Sequence, residues 1–358
     1  MRANNRWSAR TAALVAGGAL LASGAGLYGL HATGTWPFPS TYCWGAWQED
    51  SGASFLGKEA LGKSGSKRRA TESAPPSNTG NKATCTVAIT SSLADSHSDE
   101  PLTFDERVIV EYGPAPQAVE ERRAWIAHYL DGSASPLPDG LNGLVAGDRA
   151  MLVLPETCDV GGTPSTVTIR SESWGDGHLG KKAMPFAIGN RMHVARMLLD
   201  VADTTMAKAG CAPTEPLRLS SPMAVVAEKD DGAASPLCRI PGLTFEFGKG
   251  TNYQQHVGAV ERRLQTCSTV SRTRGRPDEP AAQFVMAADP RLAALFDGLP
   301  EGVDQGLVRA TCDGQRTVFY GNIASALKGR ARPDDRGVFT SFVQSVGKRI
   351  GCRTGGVA

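Results

Sequence analysis

"LPDGLNGLVAGDRAMLVLPETC" (137–158) and "LPEGVDQGLVRATC" (299–312) lie far apart in one chain of 358 residues. Both begin Leu-Pro-acid-Gly, pass through a short polar step to Gly-Leu-Val, and end on a cysteine. Each is followed by a strand-like run, "STVTIRSES" (165–173) or "RTVFYGNIA" (316–324), and then by an amphipathic stretch. In the first such stretch Val194, Met197, Leu198 and Val201 recur at the spacing of one helix face; in the second, Phe339, Phe342, Val343, Val346 and Ile350 do the same. The two close alike, on "KAGC" (208–211) and "KRIGC" (348–352). Glycine takes the left-handed conformation just past a last turn without a Cβ penalty, and Lys208, Lys348 and Arg349 set positive charge against the negative end of the helix dipole. These are anchored helix ends, each leading directly into a cysteine.

The match extends upstream. "TYCWGAW" (41–47) precedes "ATCTVAITSS" (83–92), as "PLCRIPGLTFEF" (236–247) precedes "QTCSTVS" (265–271). The helical segments 118–132 and 289–298 both precede the Leu-Pro-acid-Gly step. Each half thus carries four cysteines in one order, which reads as an internal duplication with a period far too long for a solenoid of short repeats. No two cysteines form Cys-x-x-Cys, which removes thioredoxin-like redox pairs and zinc ribbons. Eight dispersed cysteines suit an oxidising compartment. The pairing expected to recur in both halves is Cys43–Cys85 with Cys158–Cys211, and Cys238–Cys267 with Cys312–Cys352.

The N-terminus agrees with export. Arg2, Arg6 and Arg10 flank a run from Thr11 to Leu30 that holds no charge, long enough to cross a bilayer core. The next basic residue is Lys58, so the positive-inside rule sets the N-terminus in the cytoplasm and the rest outside. The alternative is a cleaved signal peptide, for which Ala22-Ser23-Gly24 or Ala32-Thr33-Gly34 supplies small residues. The Arg-led apolar N-terminus, the Ala/Gly/Arg-rich composition and "CWGAW" followed by a Cys-led strand resemble membrane-anchored or secreted proteins of high-GC actinobacteria. The run from Cys43 to "FLG" (55–57) is similar to the first disulfide segment of actinobacterial lipoprotein domains. That resemblance implies a surface location and supplies no catalytic residues.

The expected fold is α+β: two homologous disulfide-bonded modules, each an antiparallel sheet with packed helices, behind one N-terminal transmembrane helix. The expected organisation is a cytoplasmic tail (1–10), the membrane span (11–30), a juxtamembrane piece (31–42) and a first extracellular module (43–211). A linker (212–237), a second module (238–352) and a tail (353–358) complete it. Within the first module, 62–82 has no apolar period and reads as a disordered insertion. Hydrophobic content of 41% with 21% charged suffices to build cores. The formal net charge is +2, and three of the positive charges sit in the cytoplasmic tail. The exported part is near neutral, which argues against nucleic acid as a partner.

Motifs for chemistry are weak. "GDGHLG" (175–180) fits Gly-x-Gly-x-x-Gly with Asp200 downstream, but its preceding strand is polar on alternate residues and Asp200 falls inside a helical stretch. "SALK" (325–328) fits Ser-x-x-Lys without the partner motifs of penicillin-binding proteins. His97, Asp99 and Glu100 lie in a polar loop, and the remaining histidines are scattered. No cofactor, metal ion or catalytic residue is therefore assigned. The expected class is a non-catalytic binding, sensing or scaffold protein with an extracellular ligand or protein partner; the alternative is a hydrolase acting on envelope polymer. Clefts between domains are preferred ligand seats. The expected site is therefore the junction near Met223, Val225 and Val226.

Overall fold

The computed structural model describes residues 40–49, 51–62, 66–77, 82–93, 102–175, 183–223, 236–247, 253–271 and 279–352. The span expected at 11–30, with its flanks 1–10 and 31–39, lies outside these residues, as do Val225, Val226 and the tail 353–358. Among the described residues no helix is long and apolar enough to cross a membrane.

The first half opens on a two-residue strand pair, β1 (Thr41–Tyr42) and β2 (Trp47–Gln48). Next come β3 (Lys67–Glu72), β4 (Ala83–Leu93) and β5 (Leu102–Pro114), then helix α1 (Val119–Tyr129). The short strands β6 (Ser135–Pro136), β7 (Gly143–Val145) and β8 (Arg149–Val153) lead to β9 (Ser165–Gly175) and helix α2 (Arg191–Ala209). The second half comprises β10 (Thr244–Phe245), β11 (Tyr253–Val260), β12 (Leu264–Ser271), β13 (Glu279–Ala287) and the short helix α3 (Pro290–Ala294). It ends with β14 (Leu307–Cys312), β15 (Gln315–Ile323), β16 (Ala331–Arg332) and helix α4 (Asp335–Ile350).

Two antiparallel sheets dominate. Their strand orders are β3-β4-β5-β9-β8-β7-β6 and β11-β12-β13-β15-β14. The first five strands of the first sheet therefore follow the same chain path as the whole second sheet. The Gly-Leu-Val match does not follow it. Gly143–Val145 forms β7, one strand beyond β8, whereas Leu307 and Val308 begin β14, which pairs directly with β15. The first half has an extra outer ribbon there.

The long helices sit as their apolar spacing dictates. Val194, Met197, Leu198 and Val201 of α2 are buried against the first sheet's Val87, Val108, Val167 and Ile169. Phe339, Phe342, Val343, Val346 and Ile350 of α4 are buried against Phe284 and Phe319 of the second sheet. Gly210 and Gly351 end these helices at φ of 72° and 77°, in the left-handed region. The bridges are Cys43–Cys85, Cys158–Cys211, Cys238–Cys267 and Cys312–Cys352, so each half ties its opening segment to its second strand, and its helix end to the turn after β8 in the first half and to the end of β14 in the second.

Two expectations are corrected. The segment 62–82 is not disordered throughout, because Lys67–Glu72 forms an edge strand paired with β4. Backbone pairing and one inward side chain hold it, not apolar periodicity. Arg68 is almost wholly enclosed and donates to the carbonyls of Phe55 (2.8 Å) and Gly57 (2.7 Å). Nor are the halves separate bodies, since Tyr42–Ala358 forms one compact unit. A third core lies between the sheets: Met151 and Val153 of β8 with Ile126 and Tyr129 of α1 meet Val285, Val318 and Tyr320 of the second sheet. Strand alternation explains it, because Leu152 faces α2 while Met151 and Val153 face the other half. Of the expected linker, Leu217, Leu219 and Met223 pack on the first core.

Polar contacts join the halves as well. Arg291 reaches the carboxylate of Asp159 and the carbonyl of Leu154, and Arg122 donates to the Asp297 carbonyl. Gln283 donates to the Ile126 carbonyl (3.2 Å). At the turn after α1, Arg149 pairs with Asp131 and Asp148, and the Gly132 N–H donates to Ser268 Oγ (3.1 Å).

Candidate functional site

Two cavities open where the halves meet, and each is built from one half's Leu-Pro-acid-Gly step and the other half's chain. The first, of about 240 Å³, lies under the β6–β7 turn. Its walls are Leu137–Gly143 from the first half, and Arg263, Leu264, Asp289 and Leu292 from the second. The second, of about 550 Å³, lies beside Pro300–Gly306 of the second half. Its far wall is the start of α1, with Val119, Glu120 and Arg123.

Of the charges lining the first cavity, Asp139, Arg263 and Asp289 are already engaged, while Glu261 makes no ion pair among the described residues. Asp139, at φ 60°, accepts the N–H groups of Ser220 (2.6 Å) and Ser221 (3.0 Å) and the Ser221 hydroxyl. The Ser221 hydrogen bonds, with that from Ser220, hold its carboxyl below the usual range. Arg263 pairs with Asp289, and the Asn142 amide, turned so that its nitrogen faces the carboxylate, donates to both Asp289 oxygens (2.8 and 2.9 Å). Pro222, adjacent to Met223, completes the wall. Of the expected cleft residues, Met223 packs on the first core and does not line this cavity, and Val225 and Val226 lie outside the described residues.

The second cavity is larger and less self-satisfied. Phe284 and Phe339, both buried in the second core, form an apolar part of its lining. Gly306 and Gly321 bring two backbone segments together there. A Cβ on Gly306 would stand 2.0 Å from the Gly321 carbonyl oxygen, and one on Gly321 would stand 2.5 Å from the Phe339 ring. Arg123 donates to the Gln305 carbonyl (3.1 Å) and lies over the Tyr320 ring, 5.9 Å from its centroid. Burial raises the pKa of the Tyr320 phenol, with Arg123 opposing. Arg336 lies 3.6 Å from Asp304, and Asp335 accepts the Gly329 N–H at 3.0–3.1 Å. Among the described residues, neither Glu120, Arg123 nor Lys328 makes an ion pair.

Neither cavity's lining contains Ser, Thr, Cys or His. Ser325 and Lys328 share an exposed turn, joined through the Lys328 N–H and the Ser325 carbonyl (3.4 Å). Among the described residues no hydrogen bond connects the Ser325 hydroxyl to the Lys328 amine. Lys328 lines the second cavity and Ser325 does not. Asp200 lies within α2, where burial and then Asp203 raise its pKa; residues 176–180 and His97, Asp99 and Glu100 lie outside the described residues. No three His, Cys, Asp or Glu side chains come together to hold a metal among the described residues. The sequence missed Glu120 and Arg123. Its one signal for this site was the repeated Leu-Pro-acid-Gly step, legible as a turn rather than as a cavity wall. No family model, curated protein or solved structure matches the chain.

Proposed function

We propose that this protein is a membrane-anchored binding protein facing out of the cell, with residues 11–30 as its anchor, and that its ligand seat is the junction between two duplicated halves. The four disulfides support an oxidising, extracytoplasmic placement. The shared strand order and the matched placement of the bridges support duplication. The Arg-flanked apolar run supports the anchor, and the resemblance to surface proteins of high-GC actinobacteria agrees with it.

One observation carries the binding reading. The second cavity is walled by both halves and has unpaired charges beside an apolar surface, with no Ser, Thr, Cys or His in its lining. That is the make-up of a recognition site, and its volume lies in the range of small-molecule pockets. Native mass spectrometry of the full chain, purified in detergent from its own host, tests it. Wild type should carry a small molecule that an Arg123→Ala, Lys328→Ala double variant lacks. Turnover of an envelope polymer by the purified chain, abolished by Ser325→Ala, would overturn the reading in favour of a hydrolase. Protease applied to intact cells should remove everything beyond the anchor; a protected C-terminus would refute the topology.

A further inference from the structure

We infer that the second cavity takes a small zwitterion with an apolar body, a free amino acid or the end of a short peptide. The inference rests on the junction being a ligand seat and goes further by naming the ligand's chemistry. The smaller cavity is set aside because it has less than half the volume of the larger and its Asp139, Arg263 and Asp289 are already engaged, which leaves Glu261 alone without an ion pair among the described residues.

The charges of the larger cavity divide into partnered and unpartnered. Asp304 has Arg336, whereas Asp335 accepts only the Gly329 N–H. Arg123 and Lys328 remain as cations, and Glu120 and Asp335 as anions, without ion-pair partners among the described residues. A purely anionic ligand would leave Glu120 facing it unmatched, and a purely cationic one would face Arg123 and Lys328. A molecule bearing both signs matches both sets. Arg123 is already oriented by the Gln305 carbonyl and the Tyr320 ring, so its planar fork can receive a carboxylate with little loss of rotamer freedom. Glu120 stands three residues earlier on α1, on the same side of the helix, and can receive an ammonium group. Phe284, Phe339 and Ile323 offer the ligand's body an apolar bed, beside which Gly306 and Gly321 let the backbone pack closely.

Isothermal titration of the full chain in detergent tests this with alanyl-leucine, its N-acetyl form, its C-terminal amide and free leucine. Alanyl-leucine or leucine should bind, and blocking either charge should weaken binding about tenfold or more, as expected when a charge-assisted contact is lost. If leucine alone binds as well as the dipeptide, the ligand is a free amino acid; if only the dipeptide binds, it is a peptide end. Arg123→Gln should erase the preference for carboxylate over amide, and Glu120→Gln the preference for free amine over acetyl. Circular-dichroism melts would show that both variants remain folded. Equal binding of blocked and unblocked forms, or no binding of either zwitterion, overturns the inference. The binding reading would survive that result if the host-purified chain still carried a different molecule that the double variant lacks.

Discussion

Gly132→Ala is the sharpest perturbation of the junction. A Cβ there would stand 2.1 Å from the His256 carbonyl oxygen, 2.7 Å from its carbon and 2.8 Å from the Ser268 nitrogen. All three are backbone atoms of paired strands β11 and β12, so no rotamer change relieves the clash. Forcing such a contact costs about 1–3 kcal/mol. Displacing the turn also strains the Gly132 N–H bond to Ser268 Oγ, a loss of about 1 kcal/mol. The expected destabilisation is therefore about 3 kcal/mol, more than a hundredfold in the unfolding equilibrium. Native-state hydrogen exchange is the assay, because it reads each half separately. If the core between the sheets makes Tyr42–Ala358 one cooperative body, the slowest amides of α2 and α4 should both accelerate by that factor. Gly147→Ala, whose Cβ would meet the Gly189 carbonyl at an accommodating 3.4 Å, should change either helix far less. Acceleration confined to β11, β12 and α4 would refute the shared-core reasoning, and an unchanged protein would refute the close packing itself.

Three further outcomes are expected. Peptide mapping without reductant should recover Cys43–Cys85, Cys158–Cys211, Cys238–Cys267 and Cys312–Cys352, and any bridge between halves would contradict the fold. Arg68→Met should release β3 from the Phe55 and Gly57 carbonyls, so amides 67–72 should exchange at least tenfold faster while α4 is unchanged; equal protection would show that backbone pairing alone holds the strand. Burial pushes the Tyr129 phenol up to about 12, so above pH 10 the unfolded chain loses its proton first and stability falls until about pH 12. Tyr129→Phe should flatten that decline by about 3 kcal/mol in urea titrations at graded pH, and an unaltered slope would show that Tyr129 is not buried as described.

Local chemistry made much of the architecture legible. The apolar faces of α2 and α4, their glycine ends at Gly210 and Gly351, and the alternation in 166–171 are nearest-neighbour properties that backbone geometry translates directly into structure. The repeated cysteine order did the same for pairing, because two copies of one layout leave few consistent sets of bridges. The edge strand β3 was illegible because "KRRATE" has no apolar period, and its partners at Phe55 and Gly57 are outside its own window. The candidate site was illegible for a related reason. Glu120 and Arg123 read as an ordinary solvated helix start, and only the docking of α1 against the second half sets them across from Lys328 and Phe339. By itself the sequence determined the long helices, their caps and the layout of the cysteines, all set within a few residues or by counting. Which face of each sheet meets the other half was decided only in the tertiary structure, because both faces of β8 and β13 are apolar and the pattern alone is symmetric between them.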